Sequence, residues 1–154
     1  MAAAAGVKVT SRFNMILNAG KATPQPPVGS ALGQRGLNLM NFCKAFNDET
    51  AKFMDSVPIR VRVTAYADRT FTFQTQGPSS TYLLLKAAGI EKGADKPGYE
   101  TVGRLSVKHI YEIAKVKHQF DPGLSHVSLN SVCTQLVGSC KSIGIEVYAP
   151  ERTS

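Results

Sequence analysis

Residues Ser128-Leu-Asn-Ser-Val-Cys-Thr-Gln-Leu-Val-Gly-Ser-Cys-Lys-Ser-Ile-Gly144 carry the strongest periodicity in the chain. Leu129, Val132, Cys133, Leu136, Val137, Cys140 and Ile143 step by three and four without a miss, which lines one face of an α-helix with apolar side chains. The opposite face holds Asn130, Ser131, Thr134, Gln135, Gly138, Ser139, Lys141 and Ser142, small or polar residues among which Lys141 alone is charged. A merely solvated face usually carries more Lys and Glu. Gly138 costs about 1 kcal/mol relative to Ala inside a helix, so its presence predicts that another backbone comes close there. Two readings follow. Small hydroxyls and bare amides suit the sugar hydroxyls and phosphates of a shallow RNA surface; the alternative is an interhelix contact inside the protein.

Two more helices precede this one. Tyr82, Leu83, Leu85 and Lys86 begin a helix that Gly89 ends, and Ser106 caps another that runs through Val107, Ile110, Tyr111 and Ala114 to about His118. Residues 76–150 therefore read as a compact three-helix unit. Residues 91–104 form a loop in which Lys92, Lys96, Arg104 and three glycines can fit a phosphate backbone, and the helix start at Ser106 adds free amide donors. Glu91, Asp95 and Glu100 dilute this patch, and eight basic against six acidic groups leave residues 76–150 at +2. Shape must carry more of an RNA reading than charge does.

Toward the N-terminus the pattern changes. Ile59, Val61, Val63 and Ala65 alternate with Arg60, Arg62 and Thr64; past a turn at Ala67 and Asp68, Phe71 and Phe73 alternate with Thr70, Thr72 and Gln74, which predicts a hairpin. Ahead of it, Asn38 caps a helix with Leu39, Phe42, Cys43, Phe46 and Phe53 near one face, ending near Asp55. Residues 20–36 hold three prolines and four glycines, too punctuated for a regular helix. That segment is either a stiff connector or a docking surface whose conformational entropy is already reduced. Val7, Val9, Ser11, Phe13, Met15 and Leu17 alternate with polar neighbours as a half-buried strand does. The Ala-rich, basic, acid-free opening is also compatible with an organelle transit segment over residues 1–12. The predicted fold is α+β: a small N-terminal α/β domain (1–75), a short linker (76–80), a compact C-terminal three-helix RNA-binding domain (81–148) and a tail (149–154).

A length of 154 residues, 43% apolar and 19% charged, gives room for one domain or two very small ones and excludes a large multidomain enzyme. Eighteen basic against 11 acidic residues leave +7 and a pI near 9.5, a balance that favours polyanionic partners. Cys43, Cys133 and Cys140 cannot pair completely and form no C-x-x-C, which argues against a disulfide scaffold or zinc ribbon. No run approaches the roughly 20 apolar residues of a membrane span, so no membrane partner is expected. His109, His118 and His126 lack ligand spacing and read as exposed helix and loop residues, while Cys133 and Cys140 read as core fillers. Phosphate-cradling and nucleophile-elbow motifs are absent. No catalytic residue, metal or cofactor is expected.

Four blocks, PPVGSALGQRGLNLMNFCKAFN (residues 26–47), YADRTFTF (66–73), KAAGIEKGA (86–94) and GSCKSIGIEV (138–147), closely resemble the eleventh large-subunit ribosomal protein family. The similarity keeps its order across about residues 8–148, and LSVKHIYEIAKVK (105–117) looks like the mitochondrial branch more than the bacterial one. The resemblance implies a non-enzymatic ribosomal protein at the stalk base, in the matrix of the mitochondrion, with a bacterial or plastid ribosome as alternatives. In such proteins the C-terminal domain grips a folded segment of large-subunit rRNA beside neighbouring stalk ribosomal proteins, and the N-terminal domain meets translational GTPase factors. Thiazole-type antibiotics bind bacterial relatives beside the proline segment. Carried over by position, Pro24, Pro26 and Pro27 face factors and drugs. The resemblance places Gly93, Lys96, Pro97, Gly98, Gly103, Arg104 and Ser106 against rRNA from the loop, and Gly138, Ser139, Lys141, Ser142 and Gly144 from the helix. The residue pattern adds Lys92, Asn130 and Ser131. Relatives often carry Thr at Ser139, Arg at Lys141 and a basic residue at Thr134; Lys keeps the charge but lacks the planar fork. The loop from His118 to His126 is longer than in bacterial forms. An off-ribosome adaptor that recruits a partner through the proline surface is the alternative function.

Overall fold

The computed structural model describes residues 6–150, which fall into two compact units, one ending at Gln76 and the other beginning at Gly77. Residues 1–5 of the possible transit segment and 151–154 of the tail lie outside the described residues.

In the first unit, β1 (Val9–Asn18) pairs antiparallel with β2 (Pro58–Tyr66), and β2 pairs with β3 (Phe71–Pro78). The register sets Phe13 opposite Val63, Met15 opposite Val61 and Leu17 opposite Ile59. Since alternate side chains point to opposite faces, all of these share the inner face of the sheet. Two helices, α1 (Val28–Gly33) and α2 (Leu39–Thr50), belong to the same unit. Phe42 of α2 stands edge-on to Phe71 and Phe73, ring centroids 5.7 and 5.5 Å away, and is fully buried with Phe46 and Leu32. The Asn38 side chain caps α2 by accepting from the N–H groups of Met40 and Asn41.

Two expectations need correction here. Helix α2 stops at Thr50, short of Asp55. There the Thr50 hydroxyl donates to the Phe46 carbonyl (2.8 Å) and accepts from the Gly20 N–H (3.1 Å), tying the helix end to the exit of β1 and leaving Phe53 in a turn beyond it. The proline segment does contain a helix, the six residues of α1, because Pro24, Pro26 and Pro27 all precede Val28 and remove no donor from within it.

The second unit runs α3 (Ser80–Ala88), β4 (Gly103–Ser106), α4 (Val107–Phe120), a 3-10 turn (Pro122–Leu124), α5 (Leu129–Ile143) and β5 (Ile145–Tyr148). Ser79, Ser106 and Ser128 cap the three helices. Leu84, Leu105, Ile110, Ala114, Val132, Leu136, Cys140 and Ile145 form one buried core. The apolar stripe of α5 thus faces inward as its spacing predicts. The unit is more than three helices, however: β4 and β5 pair in parallel, with Gly103 opposite Ile145 and Ser106 opposite Tyr148. The stretch 76–80 is strand up to Pro78 and helix from Ser80. Most of the loop expected after His118 is regular, since α4 reaches Phe120 and Asp121 caps the 3-10 turn. Buried Lys117 donates to the Pro78 carbonyl (3.1 Å) and lies 3.6 Å from the Asp121 carboxylate, tying α4 to the residue that precedes the α3 cap. Two histidines also do structural work. His109 completes a capping box with Ser106, and His118 Nε2 lies 3.1 Å from the Val127 carbonyl oxygen.

Candidate nucleic-acid interface

With its stripe buried, α5 presents Asn130, Ser131, Thr134, Gln135, Gly138, Lys141 and Ser142 as exposed residues, with Ser139 half-buried among them. A Cβ built on Gly138 would meet nothing within 4 Å. No neighbouring helix of the described residues packs against that position, and the glycine opens outward. The hydroxyl protons of the face are spent locally. Thr134 donates to the Asn130 carbonyl (3.0 Å), Ser139 to the Gln135 carbonyl (3.1 Å) and Ser142 to the Ser139 carbonyl (2.7 Å), while the Ser128 and Ser131 hydroxyls lie 3.0 Å apart. A hydroxyl that donates backward keeps acceptor lone pairs, which suit a donor such as a ribose 2′-hydroxyl.

The loop between α3 and β4 is joined to the C-terminal end of α5. The Ala94 N–H donates to the Ile143 carbonyl (2.8 Å) and the Val102 N–H to the Gly144 carbonyl (2.9 Å), so two carbonyls that the helix end leaves over are satisfied by the loop. Two patches some forty residues apart in sequence become one continuous surface. Glycines at the seam serve this junction. Gly144 is buried at φ +91°, and a Cβ there would sit 2.5 Å from Ala94 Cβ and 3.0 Å from the Glu100 carbonyl oxygen. A Cβ at Gly93 would come within 3.1 Å of the Ile143 carbonyl oxygen, and one at Gly103 within 3.2 Å of Ala88 Cβ. Ser106 is buried with its hydroxyl engaged by His109. Half-buried Gly93 and Gly103 and buried Ser106 and Gly144 therefore support the surface from within.

Lys92, Lys96, Pro97, Gly98 and Arg104 are exposed. Two of the three cations are neutralised locally, Lys92 by Asp95 and Arg104 by Glu146 (2.7 Å). The Glu146 hydrogen bond and charge push the Arg104 guanidinium up, and the same contact pulls the Glu146 carboxyl down. Lys96 and Lys141 have no ionic partner among the described residues. The sequence reading missed Tyr99, which is 95% exposed, the barest large hydrophobic side chain among the described residues. Its backbone is held by an N–H bond to the Lys96 carbonyl (3.2 Å), so an unpacked aromatic ring stands on an ordered turn between Gly98 and Glu100. The legible signal was a lone aromatic in the polar run 91–101.

In the first unit, Pro24, Pro26 and Pro27 are all exposed. Asn47 of α2 holds the segment's entry by accepting from the Ala22 N–H (3.0 Å) and donating to the Ala22 carbonyl (3.3 Å). A shallow cavity of about 210 Å³ lies between the prolines and the end of β1, lined by Ile16, Asn18, Lys21, Gln25, Pro26 and Pro27 among others. Catalytic chemistry finds little here. Among the described residues no three His, Cys, Asp or Glu side chains gather as metal ligands, and burial raises the thiol pKa of Cys43 and Cys140, suppressing their thiolates. No described helix is long and apolar enough to cross a membrane.

Residues 13–71 match the family model described as ribosomal protein L11, N-terminal domain, and residues 76–147 match that described as ribosomal protein L11, RNA binding domain. A Schizosaccharomyces pombe protein, large ribosomal subunit protein uL11m, is 45% identical over 138 residues, covering 90% of this chain and 95% of that protein.

Proposed function

Since the chain belongs to the ribosomal protein L11 family, in its mitochondrial branch, we propose that α5 and the loop joined to it hold a folded segment of large-subunit rRNA while the proline edge meets translational GTPases. The protein is a structural, RNA-binding constituent of the mitochondrial large ribosomal subunit and not an enzyme. The observation that carries the rRNA surface is the outward opening at Gly138, flanked by small hydroxyl-bearing residues and continued by the loop with Lys96, Gly98 and Tyr99. Acceptors at fixed spacing on a rigid helix suit the 2′-hydroxyls of a folded RNA, and Gly138 lets its backbone come close. Tyr99 offers a face for one unstacked base. The protein's part is to hold the RNA fold and to position factors, adding no reacting group of its own.

The proline edge supports the second half of the reading: three exposed prolines on a segment anchored by Asn47 form a preordered surface, which lowers the entropy cost of docking. Neighbouring stalk ribosomal proteins are the further partners of this reading. The test is a reciprocal pair of variants. Gly138→Glu is expected to weaken binding to the folded stalk-base rRNA fragment while circular dichroism keeps its helix content; unchanged affinity would sink the α5 surface. Pro26→Ala is expected to leave rRNA affinity unchanged and to lower factor-stimulated GTP hydrolysis on reconstituted subunits. Loss of rRNA binding in that variant would overturn the division of labour.

A further inference from the structure

The solvent face of the N-terminal sheet is unexplained by this reading. In the β1–β2 register Asn14 stands opposite Arg62, Ile16 opposite Arg60 and Arg12 opposite Thr64, so all six share one face. Arg12, Asn14, Ile16, Arg60 and Arg62 are exposed, and the inner-face partners are the buried core. On β3 the same face continues in Thr72, whose hydroxyl lies 3.2 Å from that of Tyr66, and in exposed Gln74. None of these positions is acidic. The first unit's carboxylates lie elsewhere: Asp48 and Glu49 on α2, Asp55 in the turn after it, and Asp68 in the hairpin turn, where it accepts from Thr70. Arg12, Arg60 and Arg62 make no ion pair among the described residues.

We propose that this sheet face is a second RNA-binding surface, separate from α5, that takes the phosphate backbone of an unstructured strand. Arg12 and Arg62 are diagonal neighbours, roughly 7–8 Å apart, and Arg60 follows Arg62 two residues along β2 on the same face, so the three form a row of like charge that repels until a polyanion neutralises it. Arginine forks match phosphate oxygens two at a time. The residues between them, Asn14, Thr64 and Gln74, carry amides and a hydroxyl that suit sugar and base edges. A membrane surface would call for several inserted apolar side chains, and an acidic protein partner for an apolar centre; Ile16 alone among the exposed residues named on this face is apolar. The surface also accounts for the charge distribution. Nine basic against four acidic groups lie in residues 1–75, whereas the helical half that carries the family's RNA-binding domain is nearly balanced.

The test uses the full chain and a 20-nucleotide oligouridine, with fluorescence anisotropy over a salt series. The triple variant Arg12→Gln, Arg60→Gln, Arg62→Gln is expected to lower the slope of log affinity against log salt by about 2, since each single-strand phosphate contact contributes about 0.7. The triple Lys variant is expected to keep most of that slope. An unchanged slope in the Gln variant, with its fold intact by circular dichroism, would overturn the proposal. So would an Arg-dependent loss confined to polyglutamate or to vesicles of cardiolipin and phosphatidylcholine, with oligouridine binding unaffected. If the Gln variant fails to fold, loss of the slope in the folded Lys variant also overturns it.

Discussion

Replacing Gly138 by Ala should make the protein more stable and a worse RNA binder at once. The residue lies inside α5 without a positive φ, and the added Cβ meets no atom within 4 Å. The methyl therefore brings no clash, and the helix gains the propensity difference of about 0.8–1 kcal/mol between Ala and Gly. For a unit of 60–100 residues this corresponds to a rise in Tm of about 4–8 °C, readable by circular dichroism. On the RNA side the methyl occupies the opening through which a backbone approaches. Overpacking of that kind costs about 1–3 kcal/mol, equivalent to a loss of roughly 5- to 140-fold in affinity for the folded stalk-base rRNA, measured by filter binding. A lowered Tm would mean that Gly138 packs against the protein after all. A raised Tm with unchanged affinity would mean that the RNA keeps its distance from α5, and the proposed interface would move to the loop.

Three further outcomes are expected. Tyr99→Ala should leave Tm unchanged, because the ring is almost fully exposed, and should weaken rRNA binding by about 1–3 kcal/mol if one base stacks on it; filter binding beside a thermal melt checks both. Lys117→Ala should cost about 2–4 kcal/mol in denaturant unfolding, since it leaves the Pro78 carbonyl and the Asp121 carboxylate without their shared cation. Glu146→Gln frees Arg104 and should steepen the salt dependence of rRNA binding. The folded carboxyl is pulled down, so any stability the pair supplies is present above the ordinary carboxylate range and fades as pH falls through the depressed value. Melts of the wild type and this variant should therefore converge in acid.

What the sequence disclosed depended on whether the signal was local. The stripe of α5, the caps at Asn38 and Ser106 and the alternation through β2 are periodic or adjacent patterns, and each has its structural counterpart. The β4–β5 pairing escaped because two four-residue strands more than thirty-five residues apart leave no period to detect. Helix α1 was hidden by prolines that in fact end just before it. In the candidate site the difficulty was different. A glycine demanded by a ligand and a glycine demanded by a neighbouring chain segment are identical in sequence. Gly138 opens to solvent, whereas Gly93, Gly103 and Gly144 are fixed by Ile143, Ala88 and Ala94, contacts that exist after folding alone. Tyr99 was overlooked because apolar residues are read first as core, and its isolation in a polar loop is what marks it otherwise.

The most direct measurement compares residues 77–154 with the full chain for binding to the folded stalk-base rRNA fragment and to an unfolded control of equal length, at about 0.2 M salt, where nonspecific phosphate contacts are largely suppressed. The account predicts near-equal affinity for the folded fragment and the same preference for folded over unfolded RNA in both proteins. Loss of that preference in residues 77–154, with its retention in the full chain, would contradict the account and place recognition in the first unit.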